Sequence, residues 1–175
     1  MDNIFTPHVV HNFLSSEECD KLSKWISINQ GTPYFQSADH EGCFRQTTRG
    51  VEVKKIPFPV TAYIVRDKIF DYFNLKNFEV KYPFYHDAMI ASYGFAPDEC
   101  GVHKDPEYFE GFGTYHCLCL LTQPEQGGTP VLDGVEYPMN KGDLLWLPVS
   151  KVNHGTTKLV GSIPRLLWIF GFCIK

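Results

Sequence analysis

The chain has 175 residues, 16 Lys and Arg against 20 Asp and Glu, and a net charge of −4. A length of this order predicts one domain, and 43% hydrophobic with 15% aromatic residues is enough to fill a core, which excludes disorder as the main state. The acidic balance argues against general nucleic-acid affinity, no apolar run approaches the roughly 20 residues of a membrane span, and Met1-Asp2-Asn3-Ile4-Phe5 lacks the basic and apolar regions of a secretory signal. The expectation is a soluble, cytoplasmic domain with neither nucleic acid nor membrane as partner.

In chain order, Ser15-Ser16-Glu17-Glu18 offers a capping box from Ser15 to Glu18. Leu14, Leu22, Trp25 and Ile26 follow at helical spacing. A second helix is predicted over about 58–73, where Ala62, Ile64, Val65, Ile69, Phe70 and Phe73 make an apolar stripe. After Leu75 the texture changes to short runs broken by Gly, Pro and Asp, predicting strands at 78–82, 87–93, 115–121, 131–132, 144–147, 154–158 and 165–174. Helices grouped ahead of many short strands predict a mainly β, α+β fold: an antiparallel sandwich packed against helices. In the last strand Leu166, Trp168, Phe170 and Phe172 share one face, predicted to meet the helices. Arg165, Leu167, Ile169, Gly171 and Cys173 share the other, which points into the sandwich. The six cysteines include no CxxC pair; Cys117 and Cys119 share a strand face and read as core residues in preference to a thiolate metal pair.

One constellation carries chemistry. His103-Lys104-Asp105 places an imidazole and a carboxylate at i and i+2, on the same side of an extended chain. Asn153-His154-Gly155 follows 49 residues after Asp105, far enough to return on a neighbouring strand. Two His and one carboxylate on one side of an ion leave three positions open, the facial arrangement of non-haem Fe(II) oxygenases. Arg165 stands 11 residues past His154, beyond a Gly- and Pro-containing break. An inward Arg in an apolar wall is costly without an anion, and its fork matches a carboxylate. The plainer reading of Arg165 is an internal salt bridge with an Asp or Glu.

The stretch from Ala91 to Phe172 resembles the prolyl-4-hydroxylase-like branch of the Fe(II)/2-oxoglutarate dioxygenases. The resemblance rests on Ser92-Tyr93-Gly94, His103-Lys104-Asp105, Gly127-Gly128-Thr129, Asn140-Lys141-Gly142-Asp143, His154-Gly155 and Arg165, with Asn12 to Cys19 similar to that branch's opening helix. It implies a double-stranded β-helix (a jelly-roll or cupin-like barrel) over residues 1–175, with a helical support region at 1–76 and the β core at 77–175. It implies His103, Asp105 and His154 as catalytic iron ligands, Arg165 as partner of the 2-oxoglutarate C5 carboxylate, and Tyr93 as a candidate second contact to that co-substrate, with a core aromatic as the other reading of Tyr93. The activity implied is hydroxylation of an unactivated C–H bond with Fe(II), 2-oxoglutarate and O2, ascorbate acting in support, and with release of succinate and CO2. Asp105 speaks against a halogenase, in which a small residue replaces the carboxylate.

Two positions depart from the branch's pattern. Leu120 falls about where a Tyr hydroxyl often joins the Arg, leaving Tyr93, Thr156 or Tyr115 as other donors, or no second donor at all and a different oxoacid. Gly171 replaces a bulkier residue and leaves room beside the metal. His116 reads as a core histidine or one behind the ligands, and His86-Asp87, being adjacent, as structural. Residues 106–113 read as a solvated loop, with a lid over the site as the other reading. Arg45 and Arg49 read as surface charges or as partners of a substrate carboxylate. The expected substrate is a small molecule or peptide, such as a free amino acid, with a protein residue as rival. Outside the class stand a non-redox, cupin-like hydrolase or isomerase on the same ligands, and a non-catalytic barrel that binds a small acid.

Overall fold

The computed structural model describes residues 4–37, 45–48, 56–83 and 86–175. Helix α1 (Ser16–Asn29) starts at a capping box in which Glu18 N–H donates to Ser15 Oγ and Ser15 N–H to Glu18 Oε2. It buries Cys19, Leu22 and Ile26, one stripe at helical spacing. Helix α2 (Val60–Tyr72) follows Pro59, whose extended backbone suits a helix entry, and buries Ala62, Val65 and Ile69. Ile64, counted in the stripe from sequence, is exposed instead.

The strands are β1 (His8–Val10), β2 (Gln36–Ser37), β3 (Gln46–Thr47), β4 (Val80–Lys81), β5 (Met89–Gly94) and β6 (Cys100–His103), then β7 (Gly113–Leu120), β8 (Pro130–Leu132), β9 (Val135–Glu136), β10 (Leu144–Leu147), β11 (His154–Thr156) and β12 (Arg165–Ile174). They form two antiparallel sheets. The larger runs β1-β10-β7-β12-β5-β3-β2 with β4 also on β12, and the smaller runs β6-β11-β8-β9. The fold is therefore mainly β with two helices, as expected, and the arrangement is jelly-roll-like. The region before residue 77 contributes strands as well as helices, because β1 lies beside β10 and β3 beside β5.

The alternation along β12 divides the molecule into two apolar layers. Leu166, Trp168, Phe170 and Phe172 join Leu22, Ile26, Val65 and Ile69 in the layer between the larger sheet and the helices. There Trp168 lies edge-on to Trp25 and Phe58, at 5.5 and 5.2 Å between ring centroids. Leu167 and Ile169 point the other way and pack with Ile90, Leu120, Leu145, Leu147 and, from the smaller sheet, Leu132. Cys19, Cys117, Cys119 and Cys173 are free and buried. Burial pushes the Cys117 and Cys119 thiols well up, so the pair is core and not a thiolate site. Cys100 is disulfide-bonded, a feature that the expectation of a cytoplasmic chain did not anticipate. No helix among the described residues is long and apolar enough to cross a membrane.

The Asn140-Lys141-Gly142-Asp143 turn is a clasp for the N-terminal segment. Gly142 has φ +91°, and a Cβ there would stand 3.0 Å from Leu14 O, which explains the glycine. The buried Asp143 carboxylate accepts from the backbone N–H of Asn12 and Asn140 and lies 2.9 Å from His11 Nδ1. Burial alone would raise the Asp143 carboxyl, but the Asn140 and Asn12 amides and His11 outweigh it and hold it below its ordinary range. Asp143→Ala removes the carboxylate that accepts from the Asn12 and Asn140 N–H groups in part-buried bonds. It is expected to cost about 2–3 kcal/mol in urea denaturation while metal affinity is retained; an unchanged midpoint would contradict the clasp.

Candidate metal centre

Strand pairing sets the first two ligating groups side by side. β6 ends on His103 and β11 begins on His154, and the two residues are direct cross-strand partners with ring centroids 4.3 Å apart. Gly155 allows this approach, since a Cβ there would stand 2.7 Å from Cys100 O. Each ring is oriented from behind: His103 Nδ1 lies 2.8 Å from Gly101 O and His154 Nδ1 3.3 Å from Val152 O. With Nδ1–H donating to a carbonyl, Nε2 is left as the acceptor that a metal takes. Burial first, and His103 in addition, lower the His154 pKa despite the opposing Asp105, so the ring is neutral at neutral pH and ready to ligate.

Asp105 follows on the segment that crosses to the larger sheet. Its backbone N–H donates to Val149 O at 3.0 Å, and Thr114 Oγ1 donates to Pro106 O at 3.0 Å. The buried carboxylate thereby comes beside the two rings, with Oδ1 3.5 Å from His103 Nε2. One ligating atom from each of His103, Asp105 and His154 lies within 4.8 Å of the others. Two imidazoles and one carboxylate at this spacing fit a first-row divalent ion with open positions opposite.

The same cavity is lined by Arg165 and Arg45, by Thr47, Thr156 and His116, and by apolar Ile90, Leu118, Leu132, Leu147, Val149 and Ile169. The cavity volume is about 50 Å³, and its lining of apolar side chains with a few convergent polar groups is the pattern of a small-molecule site. Arg165 is 6% exposed, its Nε is buried without a hydrogen-bond partner, and no ion pair holds it among the described residues. The internal salt bridge weighed from sequence is absent. Burial first, and then the like charge of Arg45, press the guanidinium down to about 9, with Asp98 opposing, so it remains a cation at neutral pH. Gly128 brings the chain against the Arg165 stem: at φ +67° it has no Cβ, which would stand 2.8 Å from Arg165 Cδ.

Tyr93 lies elsewhere. On β5, Ile90 lines the cavity, whereas Tyr93 packs in the helix-facing layer against Phe35 and Phe95, at 5.0 and 5.9 Å between centroids. Arg165 pairs across the strands with Gly94, so the face shared with Arg165 carries Gly94, Ser92 and Ile90. Tyr115 also faces the helices, stacked on Trp146. Among the described residues Thr156 and Thr47 are the hydroxyls that line the cavity, and Thr47 was missed from sequence because nothing periodic marks its two-residue strand. Leu120 lines a neighbouring recess that also reaches Arg165. Arg45 lines the cavity and is not a plain surface charge; Arg49 lies outside the described residues.

No protein-family model matches the sequence, and no curated protein sequence is similar to it. Solved structures do match. A prolyl-4-hydroxylase from Pseudomonas putida aligns at TM-score 0.66 and 14% identity over 97% of this chain and 92% of its own. HygX from Streptomyces hygroscopicus, solved with nickel and 2-oxoglutarate, aligns at TM-score 0.68 and 13% identity over 97% and 83%. The alpha-ketoglutarate-dependent non-haem epimerase SnoN, from nogalamycin biosynthesis, aligns at TM-score 0.71 and 12% identity over 95% and 76%. The fold is that of these oxygenases.

A buried cation without a counter-ion opposes folding. Arg165→Met keeps the apolar stem and removes the charge. It is expected to stabilise the metal-free protein by about 1–4 kcal/mol in urea denaturation. A loss of stability would mean that the guanidinium is satisfied within the fold.

Proposed function

We propose that the protein is an Fe(II)- and 2-oxoglutarate-dependent dioxygenase that hydroxylates an unactivated C–H bond of an amino acid, peptide or protein residue, proline-type substrates included. One observation carries the reading: a single cavity joins three ligating atoms within 4.8 Å of one another to a buried guanidinium with no ion pair among the described residues. The proposal takes in closure of the two sheets into a double-stranded β-helix within one domain spanning 1–175. The solved structures of the same fold support it, since one is a prolyl-4-hydroxylase and another holds nickel and 2-oxoglutarate.

In this reading His103 and His154, through Nε2, and Asp105, through a carboxylate oxygen, hold the iron. Bound iron supplies the activation of O2 that an all-organic site lacks. The balance is R–H + O2 + 2-oxoglutarate → R–OH + succinate + CO2, each oxygen atom of O2 ending in one of R–OH and succinate. Arg165 takes the C5 carboxylate as a charge-assisted pair and so fixes which end of the oxoacid faces the ligands. Thr156 already accepts from Cys100 N–H at 3.0 Å and retains its own O–H for the same carboxylate. Leu118, Leu132, Leu147 and Ile169 limit water around the reacting groups. With Tyr93 and Tyr115 on the opposite face, neither has a role at the co-substrate.

Protein supplied with Fe(II), ascorbate and 2-oxoglutarate is expected to release succinate in an O2-dependent manner, and a screen of amino acids and peptides is expected to yield a product heavier by one oxygen atom. Turnover supported by Zn(II) and indifferent to O2 would replace the oxygenase with a hydrolase. Arg165→Ala is expected to raise the KM for 2-oxoglutarate by about 10–100-fold, the scale of a lost charged hydrogen bond, with metal affinity retained. An unchanged KM would remove Arg165 from the co-substrate site.

A further inference from the structure

The proposed reaction leaves His116 without a part. It is buried and faces the cavity from β7, along with Leu118. Its direct cross-strand neighbours are Leu147 on β10 and Gly171 on β12. Gly171 has no side chain, so the imidazole meets no competitor on that flank. Its Nδ1 lies 3.7 Å from Asp105 Oδ2, while Asp105 Oδ1 lies 3.5 Å from His103 Nε2. The two oxygens of one carboxylate are thus divided between a ring of the ligand group and a ring outside it, for His116 is not among the three grouped residues.

We propose that His116 is a positioning residue that holds Asp105 to one-oxygen ligation by drawing Oδ2 away from the metal position. The inference rests on the metal-centre reading given above. A carboxylate binds a cation through one oxygen or through both, and two-oxygen binding would fill one of the three positions that co-substrate and O2 need. The backbone is already fixed, by Asp105 N–H on Val149 O and by Thr114 on Pro106 O, so the remaining freedom is rotation of the carboxylate itself. A donor on the Oδ2 side sets that rotation, and such outer partners hold ligating carboxylates in place. At 3.7 Å the contact is longer than a hydrogen bond and acts as an electrostatic one.

The test is metal binding by the full chain without 2-oxoglutarate. Mn(II) affinity is read by electron paramagnetic resonance, and ligand geometry by the visible absorption of the Co(II) form. His116→Leu is expected to weaken Mn(II) binding by about 10–100-fold and to alter the Co(II) spectrum. His116→Gln, whose amide N–H reaches the same oxygen, is expected to stay near wild type in both. His116→Ala, too short to reach, replaces the leucine variant if urea denaturation shows that one to be unfolded. Matching affinity and spectrum in wild type and His116→Leu would overturn the inference alone. A wild-type protein that binds neither ion would overturn the metal centre, and this inference with it.

Discussion

The pairing of β6 with β11 is the constraint on which the site depends. It is a short ladder at the edge of the smaller sheet, yet it makes His103 and His154 direct neighbours and holds their rings 4.3 Å apart. Gly155 permits the close approach, and two backbone carbonyls orient the rings from behind. Asp105 is then delivered by the first turn of chain beyond β6, pinned to Val149 and, through Pro106, to Thr114. Nothing in this arrangement requires a large hydrophobic contribution from the site itself. The apolar layers on both sides of β12 provide the stability that lets the cavity hold polar groups.

Arg165 is the counterpart of that constraint. It stands at the start of β12, between the apolar interior and Gly128, whose lack of a side chain leaves space for its stem. A cation so placed lowers the stability of the ligand-free fold, and a fold tolerates this where an anion arrives later. The proposed function gives the cavity two binding points, a divalent ion at the three converging donors and a carboxylate at the guanidinium. In the proposed reading a chelating dicarboxylate would meet both at once, and so would tie the metal and the co-substrate into one site.

Much of this was legible in the sequence because it rests on period-two alternation and on caps. The His-x-Asp spacing, the inward face of β12 and the capping box at Ser15 are local signals, and the structure places those residues on the faces that the spacing implies. Tyr93 shows where local signals stop. Its strand was predicted, but which face meets the cavity depends on the pairing of Gly94 with Arg165, a contact 71 positions apart that no local pattern contains. The short strands β1, β2 and β3 were missed for a related reason: two or three residues form a strand only because a partner strand is waiting. His116 read as a core residue or one behind the ligands because its neighbours are apolar, and the crossing of Asp105 from the smaller sheet sets a carboxylate oxygen 3.7 Å from its Nδ1.

The most direct measurement of the central claim is calorimetric titration of 2-oxoglutarate into the protein under anaerobic conditions, with and without Fe(II). If one cavity joins the three donors to Arg165, one equivalent binds to the Fe(II)-loaded protein and binding falls away without the metal or in Asp105→Ala. Binding of equal strength with and without Fe(II), or none in either case, would contradict the account.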